Sequence, residues 1–236
     1  MGYRRKSPLI CNNQGVFVTA TDTGTGKTTL AIQLAAALTQ RGTRVRARKP
    51  VESGCQRSEA GELIPADATA LQLAAGGYEP LNQVAPYRLE AAISPARAAA
   101  IEGVDLHIEA LHRACMKGVE PEDFLLVEGA GGFYSPLASD GLNADLASRL
   151  GLPMIILAPD RLGVIGHILL TLEAAKRRGL RVAGVVLNRL PDPDRPAQLD
   201  NLAELTALAE DIPFFTAASA ADLPTLATGF AAQLTR

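Results

Sequence analysis

Gly15-Val-Phe-Val-Thr19 leads into Thr21-Asp-Thr-Gly-Thr-Gly-Lys-Thr28, and the Ala/Leu-rich stretch Thr28–Gln40 follows at once. A short apolar run before a glycine-rich loop reads as a buried strand. The stretch behind the loop reads as a helix that stops at Gly42. The same alternation continues outward. Thr43–Ala47 alternates like a strand and reaches Lys49-Pro50, while Phe124–Val127, Met154–Leu157, Val182–Leu187 and Pro213–Phe215 read as further short strands. Between and around them, Ala66–Ala75, Ser94–Ala100, Asp105–Lys117, Ala144–Leu150, Val164–Arg178 and Leu199–Ala209 read as helices. Strands apolar on both faces and separated by helices call for a parallel sheet covered on both sides. Right-handed crossovers then give a three-layer, doubly wound, mostly parallel α/β fold. Such sheets bind ligands beyond the carboxyl ends of their strands, so the residues just after each strand carry the functional reading.

The first of these loops resembles the phosphate-binding P-loop, with Thr21 where the first glycine belongs. Thr23, Gly24, Thr25 and Gly26 are small enough for successive backbone N–H groups to curl round phosphate oxygens. The helix start adds positive potential. Lys27 reaches the β/γ phosphates, and the Thr28 hydroxyl suits Mg²⁺. The fold is therefore read as P-loop NTPase-like. The Phe124–Val127 strand ends in Glu128-Gly-Ala-Gly-Gly132. A carboxylate at a neighbouring strand tip is where P-loop proteins hold Mg²⁺, the alternative being a helix cap or solvated charge. Lys49, in Lys49-Pro-Val-Glu-Ser-Gly54, is placed to meet a γ-phosphate or a developing anion, or else to snorkel at the surface. Asp67 opens a helix, where an N-cap is the commoner use of that residue. Asn188 closes a strand, and contacting a purine edge or starting a turn are equally open to it.

Composition narrows the class. The 236 residues are 47% apolar and 20% charged, a globular balance without low-complexity tracts. The net charge of −2 gives no general pull toward nucleic acid or acidic membranes. Absent Trp and 4% aromatics disfavour base stacking as a binding device. Cys11, Cys55 and Cys115 are too far apart for a zinc pattern and odd in number, as expected in a reducing compartment. Residues 1–14 form a basic arm with Arg4, Arg5 and Lys6, and its apolar stretch is too short for a signal peptide. Leu150–Leu172 is interrupted by Pro153, Pro159, Asp160 and Arg161, so no membrane span is expected. These features predict one cytoplasmic domain over 15–236 behind that arm.

Taken together, Thr-Asp-Thr-x-x-Gly-Lys-Thr, Lys-Pro-Val-x-Ser-Gly, Asp67 at a helix start, Ser94-Pro95, Val-Glu-Gly-Ala-Gly-Gly and a late Asn resemble the dethiobiotin synthetase family, in order from Val16 to Asn188. The resemblance implies an ATP-dependent ligase that closes a ureido ring on 7,8-diaminopelargonic acid with CO₂ or bicarbonate. The route runs through a carbamate and a carbamic–phosphoric anhydride. It implies Lys27 on the β/γ phosphates and Mg²⁺ on Thr28, Asp67 and Glu128, which replaces the cap reading of Asp67. It implies Lys49 on the carbamate and the migrating phosphoryl group, and Asn188 on the nucleotide base. Thr23 and Ser53 would line the substrate and phosphate region, and Gly129, Ala130 and Gly131 would face the substrate. It also implies a homodimer, with the substrate carboxylate at a helix start of the other subunit, here Gly163 and Val164. Four positions depart from the family pattern: Gly166 stands for an Asn, Ala96 for a His, Leu199 for a Tyr and Glu52 for a small or neutral residue.

Other readings predict other features. Amidating ligases of the same P-loop class carry a glutamine-hydrolysing domain with a catalytic Cys, for which this chain has no room. Partitioning or assembly switches place a second Lys early in the loop, where Thr21, Asp22 and Thr23 stand here.

Overall fold

A computed structural model describes residues 14–192 and 196–235; the basic arm, apart from Gln14, lies outside them. The main sheet has six strands, all parallel: β1 (Gln14–Ala20), β2 (Val45–Arg48), β3 (Phe124–Glu128), β4 (Met154–Pro159), β5 (Val182–Asn188) and β6 (Phe214–Ala217). Their spatial order is β6-β5-β4-β1-β3-β2. β1 is flanked on one side by β3 and on the other by β4, so the chain diverges at its carboxyl end. A crevice opens at such a switch point.

The two faces of the sheet follow from the period of two along each strand. Val16, Val18, Leu126, Ile155 and Leu157 face one core, against α1 (Lys27–Gln40), α2 (Ala66–Ala74) and α8 (Leu223–Leu234). Phe17, Leu125, Val127, Ile156 and Val185 face the other. That second core is closed by α4 (Ile108–Met116), α5 (Asn143–Leu150), α6 (Val164–Arg177) and α7 (Asn201–Leu208), with α3 (Pro95–Glu102) at its margin. Three layers result, as the sequence predicts.

Boundaries shift for local reasons. α7 starts two residues later than its apolar pattern because the Asp200 side chain accepts from the Ala203 N–H at 3.1 Å and caps it. α4 likewise begins at Ile108, whose N–H donates to Asp140 at 2.8 Å. β5 runs on to Asn188 because Pro159 and Asn188 remain in register across β4 and β5. α8 is not foreseen from the sequence, although Phe230 stacks edge-on against Phe215 of β6. Three two-stranded ribbons are also new: Val51–Ser53 with Tyr87–Leu89, Gln56–Arg57 with Leu63–Ile64, and Pro136–Ala138 with Gly141–Leu142. Strands of two or three residues are too short to show a period.

Candidate active site

The loop after β1 is shaped by its glycines. Gly26 has φ +92° as the residue capping α1, and a Cβ there would lie 2.5 Å from Asn188 Nδ2. Both the left-handed backbone and the close approach restrict that position to glycine. Thr23, Gly24, Thr25, Gly26, Lys27 and Thr28 form one wall of a cavity of about 400 Å³. Lys27 is buried, and its Nζ donates to the Asp22 carbonyl at 3.2 Å, so the lysine folds back on its own loop. Burial holds its pKa below the ordinary lysine value and nearby Lys49 adds to this, with Glu128 acting in opposition.

Sheet register supplies the opposite wall. Arg48 lies opposite Val127, so Lys49 and Glu128 leave their strands side by side. Lys49 Nζ is 2.8 Å from Glu128 Oε1 and 3.3 Å from Asp67 Oδ2. Burial alone would weaken the Lys49 charge, but Glu128 and then Asp67 outweigh it and raise its pKa. The Thr28 hydroxyl lies 2.7 Å from Glu128 Oε1 and 3.0 Å from Asp67 Oδ2, donating to one at a time. Asp67 sits in the first turn of α2, whose capping residue is Pro65, so the N-cap reading of Asp67 is corrected. Its half-exposed carboxylate turns to Thr28 and Lys49 instead.

This donor set fits Mg²⁺. Glu128 Oε2 is buried without a protein partner, a costly state for a carboxylate oxygen unless a ligand completes it. The converging atoms are hard oxygens, the kind Mg²⁺ selects. No group of three or more His, Cys, Asp or Glu side chains among the described residues forms a metal cage. That suits an ion that takes one or two carboxylates and fills its remaining positions with water and phosphate.

Neighbouring loops complete the cavity. Ser53 lines it and donates to the Ile93 carbonyl at 2.8 Å. Ala130 and Gly131 line it from the loop after β3, and Gly129 N–H donates to Val18 O at 3.0 Å behind them. That loop is held by Asn143, which sequence reasoning missed. Asn143 is fully buried, accepts from Ala130 N–H at 2.9 Å, and donates to the Ala130 and Gly132 carbonyls. A Cβ on Gly129 would stand 2.7 Å from its Oδ1. Only the Asn at the start of a predicted helix hinted at this role.

Asn188 is buried and donates to the Thr25 carbonyl at 2.9 Å, bracing the loop from behind. It also lines a second cavity of about 710 Å³, whose walls share Gly24, Gly26 and Thr29 with the first. Gly163 and Val164 are not brought to either cavity. Gly163 caps α6 at φ +85° with open space around it, and Val164 is buried in the core.

The chain is 42% identical to the ATP-dependent dethiobiotin synthetase BioD of Anaeromyxobacter dehalogenans (strain 2CP-C) over 200 residues, 85% of this chain and 87% of that one. It belongs to the dethiobiotin synthetase family. Identity to the enzyme of that name from Cellvibrio japonicus (strain Ueda107) is also 42%, over 86% of each chain. Residues 14–220 match the AAA domain model. Among solved structures, the MinC:MinD cell division complex of Aquifex aeolicus aligns with a TM-score of 0.50 at 14% identity, covering 91% of this chain and 86% of that one. At that identity the likeness is one of fold alone, and it agrees with the P-loop α/β architecture. No helix of the described residues is long and apolar enough to cross a membrane.

Proposed function

We propose that the protein is an ATP-dependent dethiobiotin synthetase of biotin biosynthesis, acting on 7,8-diaminopelargonic acid and CO₂ with MgATP. The observation that carries this reading is the meeting of Lys49, Thr28, Asp67 and Glu128 within 3.3 Å contacts above a P-loop cavity. Such an assembly supplies little covalent chemistry. It positions anions and neutralises charge, which is what phosphoryl transfer to a carbamate requires.

In this reading the Thr23–Thr28 backbone cradles the phosphates. Lys27 leaves the Asp22 carbonyl for the β/γ oxygens. Thr28, Asp67 and Glu128 would hold Mg²⁺, which would offset the phosphate charge. One amine of the substrate takes up CO₂, losing a proton to give the carbamate. Lys49, held protonated by Glu128 and Asp67, faces that anion. The carbamate oxygen attacks the γ-phosphorus and ADP leaves. The second amine then attacks the carbonyl and gives up a proton, and phosphate departs with the C–O electron pair as the ring closes. Ser53 and the Gly129–Gly131 backbone keep the amines beside this centre. Asn188 stands at the wall of the second cavity, which has room for the base.

The substrate carboxylate is assigned to the start of α6, at Gly163 and Val164, in a second copy of the chain. Support comes from Leu162 and Leu170, exposed apolar residues on and just before that helix, 73% and 67% exposed, such as an interface between copies would cover. Residues 15–236 are read as one catalytic domain working in the cytoplasm.

Phosphate release with MgATP and bicarbonate, with and without the diamine, tests the proposal. Release that depends on diamine, with dethiobiotin detected by mass, is expected. Release indifferent to the diamine would reject it in favour of an ATPase switch.

A further inference from the structure

The first turn of an α-helix presents backbone N–H groups without partners inside the helix, and a side chain normally caps them. α2 cannot cap itself, because its capping residue is Pro65. The work is done from a distance. Glu52 Oε1 accepts from Asp67 N–H at 3.1 Å and Oε2 accepts from Ala68 N–H at 2.9 Å. Glu52 is 7% exposed and lies on the rim strand that also carries Ser53. The residue it grips is the one whose carboxylate reaches Thr28 and Lys49.

We propose that Glu52 is a positioning residue: it caps α2 and thereby sets the Asp67 carboxylate in place for the metal–nucleotide complex. The inference rests on the metal reading of Asp67 given above. Glu52 touches neither phosphate nor metal in it. The alternative is a direct electrostatic role, in which the Glu52 charge itself faces Lys49 or a substrate amine across the cavity. Geometry favours capping, since both carboxylate oxygens are occupied by backbone N–H groups.

The two roles separate in a binding experiment that needs no turnover. Mn²⁺ affinity of the full chain is measured by electron paramagnetic resonance in the presence of a non-hydrolysable ATP analogue. Affinity for the analogue without metal is measured alongside. Glu52→Ala is expected to weaken Mn²⁺ binding by roughly three- to thirtyfold, the range of a lost cap, and to leave metal-free nucleotide binding within about twofold. Glu52→Gln keeps one carbonyl acceptor and should fall between wild type and Glu52→Ala. Adding Pro65→Ser to Glu52→Ala gives α2 a cap of its own, at a position whose extended backbone already suits one. The double variant should recover most of the lost Mn²⁺ affinity without restoring the charge.

Asp67→Asn distinguishes the possible failures. If it weakens Mn²⁺ binding while Glu52→Ala does not, Glu52 is no positioning residue and the proposal falls alone. If neither variant changes Mn²⁺ affinity, the metal reading of Asp67 falls and takes the proposal with it. Glu52→Gln as weak as Glu52→Ala, or a folded double variant that stays as weak, would show that charge rather than capping matters and would overturn the proposal.

Discussion

Arg48 and Lys49 are consecutive, both buried and both paired with carboxylates, yet they belong to different parts of the molecule's chemistry. The Arg48 guanidinium makes a two-pronged contact with Glu79 at 2.8 and 3.0 Å and donates also to the Ala47, Cys115 and Lys117 carbonyls. Glu79 in turn meets Arg46, which pairs with Asp123, which meets Arg44. Charges in that network answer one another inside the protein. Lys49 instead shares Glu128 and a half-exposed Asp67, at the wall of an open cavity, and leaves Glu128 Oε2 unanswered. A buried carboxylate whose two oxygens both face cations, as in Glu79 and Asp123, is structure. One with an unfilled lone pair beside a cavity is prepared for something else to bind.

Removing either cation should therefore fail differently. Lys49→Ala is expected to lower kcat by roughly a hundred- to a thousandfold, as for loss of one preorganised charge-stabilising group, even in protein that stays folded. Arg48→Ala leaves Glu79 Oε2 without its cation in the interior, with only Oε1 still paired to Arg46, and is expected to cost about 3–5 kcal/mol of stability. Protein that stays folded should turn over normally. Thermal denaturation beside steady-state kinetics checks both, and a kinetic defect in folded Arg48→Ala or a normal kcat in folded Lys49→Ala would break the distinction.

A smaller effect is expected at the shared carboxylate. Glu128→Gln keeps size and one acceptor but removes the charge, so the Mg²⁺ concentration for half-maximal turnover should rise about tenfold or more, for about 1.4 kcal/mol per decade. An unchanged Mg²⁺ titration would remove Glu128 from the metal site.

The mildest test is pH. Lys27 has its pKa lowered by burial, so in the free chain it discharges below the ordinary value of 10.5. Nucleotide affinity should decline as pH rises through that alkaline range, and Lys27→Arg should flatten the decline. Lys49 shifts the other way. Its stabilising contribution is complete below the unfolded lysine value and is lost only as pH rises beyond it, so it should leave no inflection in the same titration. A decline that persists in Lys27→Arg would assign the titration elsewhere.

The P-loop, Lys49, Glu128 and all six strands of the main sheet were legible because each depends on a short apolar run and the residues directly behind it. Asp67 was misread from the residues alone. An Asp at a helix start usually caps, and only the resemblance to a family pointed to the metal. Its cap comes from Glu52, fifteen positions upstream, and no local pattern displays that. Asn143 and α8 escaped for the same reason, since their partners are loop carbonyls and Phe215 on distant strands.

By itself the sequence determined the alternation of strands and helices, the glycine loop and the chemical types placed at strand ends, because these follow from periodicity and from the backbone freedom of glycine. Only the tertiary structure decided which of those groups meet. Parallel register set Lys49 beside Glu128, and folding brought α2 under Glu52 so that Asp67 turned inward. Those pairings join residues far apart in the chain, and a hydrogen bond or ion pair at 3 Å is fixed by packing rather than by local preference.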